Sequence, residues 1–168
     1  NLQTFAASTL VQGNFISDTL NTDGTRNKNY MGTLEAAFSA MASAGASGCG
    51  FEQHIEAAKR AVSNNPANAG FIRQNAYLAI IFIQDEDDCS FSKSTLLGSD
   101  LNTLGPQQSF RCNRFGHVCT GGGADSNAMN TVGVKTGCTS NDNSAYLTKV
   151  SDYVLHQGAI PSVPRSIK

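Results

Sequence analysis

The chain reads as an α/β protein, a sheet covered by helices, and three observations carry that reading. Tyr77-Leu-Ala-Ile-Ile-Phe-Ile-Gln84 is a continuous apolar stretch of strand length, rich in branched and aromatic residues, which is the pattern of a strand buried on both faces. Two helical patterns precede it, and helices feeding one buried strand imply a helix-covered sheet. The acids Asp85-Glu-Asp-Asp88 follow it without a break, at the strand end where open α/β sheets bind ligands. Adjacent carboxylates repel one another unless a cation or dense hydrogen bonding compensates, so the run suggests a divalent, oxygen-preferring metal, Mg²⁺ or Ca²⁺. A solvated acidic turn that merely ends the strand is the alternative.

Taken in order, the first thirty residues show little periodicity, and Asn21-Thr-Asp-Gly24 is a turn signal. From Thr33, Leu34, Phe38 and Met41 recur at helical spacing, with Thr33 as N-cap and Gly45 as stop. The stripe Phe51, Ile55, Ala58, Val62 predicts a second helix from about Phe51 to Ser63, ended by the Asn- and Pro-containing stretch that follows. Beyond the acids regularity fails over residues 90–143, a length that suits a compact domain only where staples or function hold it. Tyr146, Leu147, Val150, Tyr153 and Val154 predict a closing amphipathic helix, and Pro161 and Pro164 an irregular tail. One obvious strand is too few for a sheet, and Val11–Ile16 and the surroundings of Phe110 or Val132 are weak candidates for its neighbours. The 168 residues are therefore expected to be one domain, or a fragment of one, carrying a long stapled region over 90–143.

A formal net charge of -1, without a basic cluster, argues against nucleic acid and anionic membrane surfaces as partners. No stretch is long enough to span a bilayer, and no charged-then-apolar leader opens at Asn1, so any secretory signal is expected outside the chain. Cys49, Cys89, Cys112, Cys119 and Cys138 sit mostly in polar surroundings, which favours bridges over buried thiols and an oxidising compartment. Cys89, Cys112, Cys119 and Cys138 bracket the irregular region, where two bridges in any of three pairings would hold it. Zinc is the rival, through His117 between Cys112 and Cys119, but no close Cys-x-x-Cys pair accompanies it, and His54 and His156 fall on predicted helices.

Several motifs stand in one order: Thr33-Leu-Glu-Ala-Ala-Phe-Ser-Ala-Met, Gly48-Cys-Gly-Phe-Glu-Gln-His, Asn68-Ala-Gly-Phe-Ile-Arg, the apolar run with its acids, and Phe110-Arg-Cys-Asn-Arg-Phe-Gly-His-Val-Cys119. Together, over roughly Thr25 to Cys138, they resemble the von Willebrand factor A-like domains of secreted or lipid-anchored cell-surface proteins of myxobacteria and related bacteria. The resemblance implies a doubly wound α/β fold, a mostly parallel sheet with helices on both faces. It also implies a metal-ion-dependent adhesion site, with Asp85 in the place of the Asp that ends a central strand. Glu52 stands where such a site takes a threonine, Thr33 is the nearest threonine but one helix early, and the Asp-x-Ser-x-Ser loop is absent, since Asp18 continues as Thr19-Leu-Asn-Thr. Relatives often carry a second cysteine about where Ala40 stands, and its loss would leave Cys49 unpaired.

The expected metal ligands are thus Asp85, Glu52, Asp87 and Thr33. In an extended run Asp85 and Asp87 share one side and Glu86 and Asp88 the other, so one pair suits metal and the other backbone capping. A metal-dependent hydrolase is a third reading, since no His or Lys is placed as base or electrophile. Nucleophilic catalysis fares worse: Ser90 lies beside the acids without a Gly-x-Ser-x-Gly turn, and His117 lacks an orienting partner. Gly121-Gly-Gly123 lacks the lysine of a phosphate loop, and Asp23 has only a faint calcium-loop look. The expected function is a bacterial, extracytoplasmic, non-enzymatic adhesion module that bridges through its metal to an acidic group of a partner protein. The alternative is a surface or assembly protein contacting neighbouring subunits through its stapled region, without metal.

Overall fold

The computed structural model describes residues 9–43, 45, 47–63, 65–73, 75–120, 127–130 and 132–157. The glycine run Gly121-Gly-Gly123 and the tail with Pro161 and Pro164 lie outside them. The chain divides into two compact units, the first within Asn1–Gly48 and Arg60–Arg73, the second within Cys49–Lys59 and Gln74–Lys168.

The first unit is built on a hairpin. Strands β1 (Asp18–Leu20) and β2 (Arg26–Lys28) pair antiparallel with Asp18 opposite Lys28. The Asn21–Gly24 turn signal forms their connection: the Asp23 carboxylate accepts from the Thr25 N–H at 2.9 Å and its hydroxyl at 2.6 Å, and Gly24 supplies a φ of 82°. Val11 bridges to Tyr30, extending the hairpin, and Asn29 ties the entering chain down by donating to Gln12 O and Phe15 O and accepting from the Ser17 N–H. Helix α1 (Leu34–Ala42) follows, its first turn capped by the Thr33 hydroxyl, which accepts from the Ala36 N–H at 3.2 Å. Val11, Tyr30 and Ala37 form a small core with Leu10, Ile16 and Met41 against it.

The second unit holds the larger core: Phe51, Cys89, Leu96, Leu104, Cys112 and Phe115, with Phe91, Leu97, Tyr146 and Leu147 packed on it. Most of these come from the region whose sequence shows no period. Short elements supply them: a 3₁₀ turn Ser94–Leu97, helix α3 (Leu101–Leu104) capped by Asp100, and helix α4 (Phe110–Gly116). Strands β3 (His117–Val118) and β4 (Thr139–Ser140) pair antiparallel. Disulfides Cys89–Cys112 and Cys119–Cys138 staple the region, each closing a loop of about twenty residues that by the chain-entropy account contributes ~3 kcal/mol. Gly137 sits beside the second bridge at φ 62°, where a Cβ would collide with the Thr120 hydroxyl. Cys49 is exposed and carries a free thiol.

Arg111 organises this unit. Its fully buried guanidinium donates to Leu96 O at 2.6 Å, Gly98 O at 2.7 Å, Gly105 O at 2.9 Å and Pro106 O at 3.0 Å. Carbonyl dipoles thus solvate the charge and join the 3₁₀ turn, α3 and α4 in one network. Arg114, equally buried, donates to Thr103 O and lies over the Phe115 ring with 4.6 Å to its centroid.

The doubly wound fold is not what forms. The described residues contain two antiparallel sheets of two strands each and five helices, and no extended parallel sheet. Residues 76–84 take up neither helix nor strand, and most of their side chains are exposed. A strand stands only beside a partner, and no weak candidate supplies one: Val11 pairs with Tyr30, Phe110 opens a helix, and Val132 is wholly exposed. Helix α2 (His54–Val62) begins three residues after Phe51, because Phe51 is drawn into the core. The last helix, α5 (Val150–Gln157), likewise begins after Tyr146 and Leu147: Leu147 forms an antiparallel bridge with Phe91, and Ser92 N–H donates to Tyr146 O at 2.8 Å.

Candidate functional site

The acid run turns through a bend at Asp85 and Glu86, and its two ends do different work. Asp88 is engaged by backbone. One of its carboxylate oxygens accepts from the Ile55 N–H at 3.0 Å and the Ser90 hydroxyl at 2.9 Å, and the other from the Ser90 N–H at 2.9 Å. The Ser90 oxygen in turn accepts from the Glu56 N–H at 3.1 Å. Asp88 and Ser90 therefore cap α2 from outside its own chain segment, satisfying donors a helix start leaves open and placing negative charge at the positive end of its dipole. This accounts for Ser90, whose buried hydroxyl is committed to the cap. Tyr153 of α5 closes over the same place, its hydroxyl 3.3 Å from a Glu56 carboxylate oxygen, and burial raises its pKa above the ordinary tyrosine value.

The other acids line a cleft of about 880 Å³. Asp85, Glu86 and Asp87 form one side together with Gln84; Glu52 joins them because its carbonyl accepts from the Cys89 N–H at 2.6 Å, which ties the segment before α2 to the end of the acid run. Facing residues come from the start of α4: Gln108, Ser109, Phe110 and Asn113, held to the acid side by the Cys89–Cys112 bridge, whose two cysteines also line the cleft. The lining thus offers carboxylate, carboxamide and hydroxyl oxygens, and among the described residues no Lys, Arg or His belongs to it. Among the described residues no ion pair engages these carboxylates.

Of the four expected metal ligands, Asp85, Asp87 and Glu52 line this cleft, while Thr33 lies in the first unit as the cap of α1. Glu86, assigned to capping by strict alternation, lines the cleft as well; the bend breaks the period-two geometry on which that assignment rests. Among the described residues no three His, Cys, Asp or Glu side chains are gathered tightly enough to form a metal cage. The α4 side is absent from the sequence reading. Its one signal is Ser109 directly before the apolar Phe110, a helix-start pattern that says where α4 begins but not what it faces. His117 Nδ1 lies 3.0 Å from Asn113 O and is not part of the lining.

No family model matches the chain, and no curated protein or solved structure matches it either. Two disulfides fit an oxidising, extracytoplasmic compartment, and no helix among the described residues is long and apolar enough to cross a membrane.

Proposed function

We propose that the protein is an extracytoplasmic, non-enzymatic binding module whose cleft holds a hydrated divalent cation, Mg²⁺ or Ca²⁺, and through it an acidic group of a partner protein. One observation carries this reading: Glu52, Asp85, Glu86 and Asp87 line one cleft to which no cationic side chain among the described residues belongs. The carboxylate, carboxamide and hydroxyl oxygens there are the donors that hard cations prefer. Mg²⁺ keeps several waters and binds through one or two carboxylates, so a cleft without a preformed cage suits a water-retaining ion. A partner carboxylate that displaces one of those waters completes the shell. The doubly wound sheet is no part of this reading, and Thr33 takes no role in it.

A hydrolytic role has less support, since among the described residues the lining offers no His or Lys as base or electrophile and the Ser90 hydroxyl is committed to the α2 cap. Thermal unfolding of the oxidised chain in chelator, Mg²⁺, Ca²⁺ and Mn²⁺ tests the proposal. A cation at a hundred times its dissociation constant stabilises a folded-state site by ~2.7 kcal/mol. Asp85→Ala and Asp87→Ala should each reduce that shift. An unfolding midpoint indifferent to every cation overturns the reading.

A further inference from the structure

We propose that residues 76–84 are a processing site, cut after Tyr77 or Phe82 by an endoprotease whose specificity pocket takes an aromatic side chain. The inference goes beyond the cleft reading and does not depend on the cation. A protease holds its substrate as an extended strand, so the bond it cuts needs open peptide groups and accessible side chains around it. Residues 76–84 are neither helix nor strand, and among the described residues none of their backbone N–H or C=O groups is hydrogen-bonded. The run carries no charge and no proline, whose fixed ring would obstruct a strand-like fit. Tyr77 is 94 % exposed and Phe82 47 %, with Ile83 beside it at 93 %. The other exposed aromatic side chains among the described residues are Phe38 and Phe71, and both stand in bonded backbone. Phe38 lies within α1, and Phe71 in a turn where its N–H donates to Asn68 O at 3.0 Å. Cutting at those two requires the backbone to open first, whereas cutting within 76–84 does not.

The step is hydrolysis. The peptide C–N bond breaks, the water oxygen joins the carbonyl carbon of Tyr77 or Phe82 as a carboxylate, and both water protons pass to the freed amino group of Leu78 or Ile83. No disulfide spans the cut, because Cys89–Cys112 and Cys119–Cys138 both lie on its carboxyl side. What spans it is the packing of the second unit, whose residues 49–59 lie on the amino side. Phe51 sits in the core with Cys89, Leu96 and Phe115, and Glu52 O accepts from the Cys89 N–H at 2.6 Å. The start of α2 donates across the cut as well, from the Ile55 N–H to Asp88 at 3.0 Å and from the Glu56 N–H to Ser90 at 3.1 Å. The cut chain therefore stays together as a two-chain form without a covalent link.

The test is limited digestion of the native, oxidised chain with chymotrypsin as the probe, read by mass spectrometry, native size exclusion and denaturing electrophoresis without reductant. Within residues 9–157 the first cuts are expected after Tyr77 or Phe82, in a product that elutes as the intact chain does and separates into two pieces only on denaturation. Tyr77→Ser combined with Phe82→Ser should slow internal cleavage roughly tenfold or more, since the remaining aromatic sites need local opening. The double variant's unfolding midpoint should change little, because Tyr77 is bare and Phe82 about half so. A first internal cut elsewhere, a double variant digested as fast as the parent, a marked fall in its midpoint, or pieces that part in native buffer overturns the proposal.

Discussion

Two neighbouring stretches of the second unit make opposite use of their side chains. Residues 77–83 are almost all large and apolar, yet most of them stay bare. Residues 89–115 are rich in Ser, Gly, Asn and Gln, and they bury Cys89, Leu96, Leu104, Cys112 and Phe115 in the unit's core. The difference is one of partners. A strand buries its faces only when backbone neighbours satisfy its peptide groups, and among the described residues none pairs with 77–83. The second stretch satisfies its own carbonyls through Arg111 and closes its own loop through a disulfide, so a few apolar side chains suffice for a core.

That contrast can be broken most severely at Arg111. Arg111→Met should cost ~4 kcal/mol, because it leaves several buried carbonyls without a donor; chemical denaturation with the disulfides intact measures it. The paired substitution Cys89→Ala with Cys112→Ala should cost ~3 kcal/mol and loosen the α4 side of the cleft, read as increased amide exchange across Gln108–Asn113. The contrast itself is put to the test by matched truncations. Leu96→Ala should lose about 2–3 kcal/mol and Ile81→Ala, measured in dilute solution, less than ~0.5 kcal/mol, although isoleucine is no less apolar. Equal losses at the two sites would mean that 77–83 has a buried face after all.

The smallest effect lies in the first unit and concerns pH. The hydroxyl of Tyr30, at 2.5 Å, and then the Arg26 guanidinium, at 2.7 Å, hydrogen-bond the Asp18 carboxylate and hold its pKa below the ordinary value of about 3.9. A depressed folded-state pKa means that the contribution is complete above the ordinary value and disappears as pH falls through the lowered one. An NMR titration should place the Asp18 midpoint below the ordinary value, and Tyr30→Phe should move it upward. A midpoint unmoved by that substitution would remove the tyrosine from the account.

Local features of this fold are legible in its residues, and the global ones are not. Thr33 caps α1, Asn21–Gly24 turns the hairpin, and the cysteines around the aperiodic region bridge, because each depends on near neighbours or on polar surroundings. Asp85, Asp87 and Glu52 share a cleft for the same reason: the acids are contiguous, and one short backbone hydrogen bond brings Glu52 to them. The sheet fails because a buried-strand pattern describes a demand for partners, and nothing in Tyr77–Gln84 says whether the demand is met. Arg111 and Arg114 are invisible as core residues, since arginine is rarely buried unless something solvates it, and here the solvating groups are backbone carbonyls with no sequence signature.

The two disulfides have a consequence for biogenesis. Their loops follow one another along the chain without crossing, 89 to 112 and then 119 to 138. A polypeptide threaded amino-terminus first into an oxidising compartment therefore offers each cysteine its correct mate as the next thiol to emerge, and the second ring can close without reopening the first. Cys49 is the exception, arriving ahead of both pairs, exposed and without a mate. Of these five cysteines it is the one that can capture Cys89 before Cys112 appears, and how fast residues 90–111 follow then bears on the fidelity of oxidation.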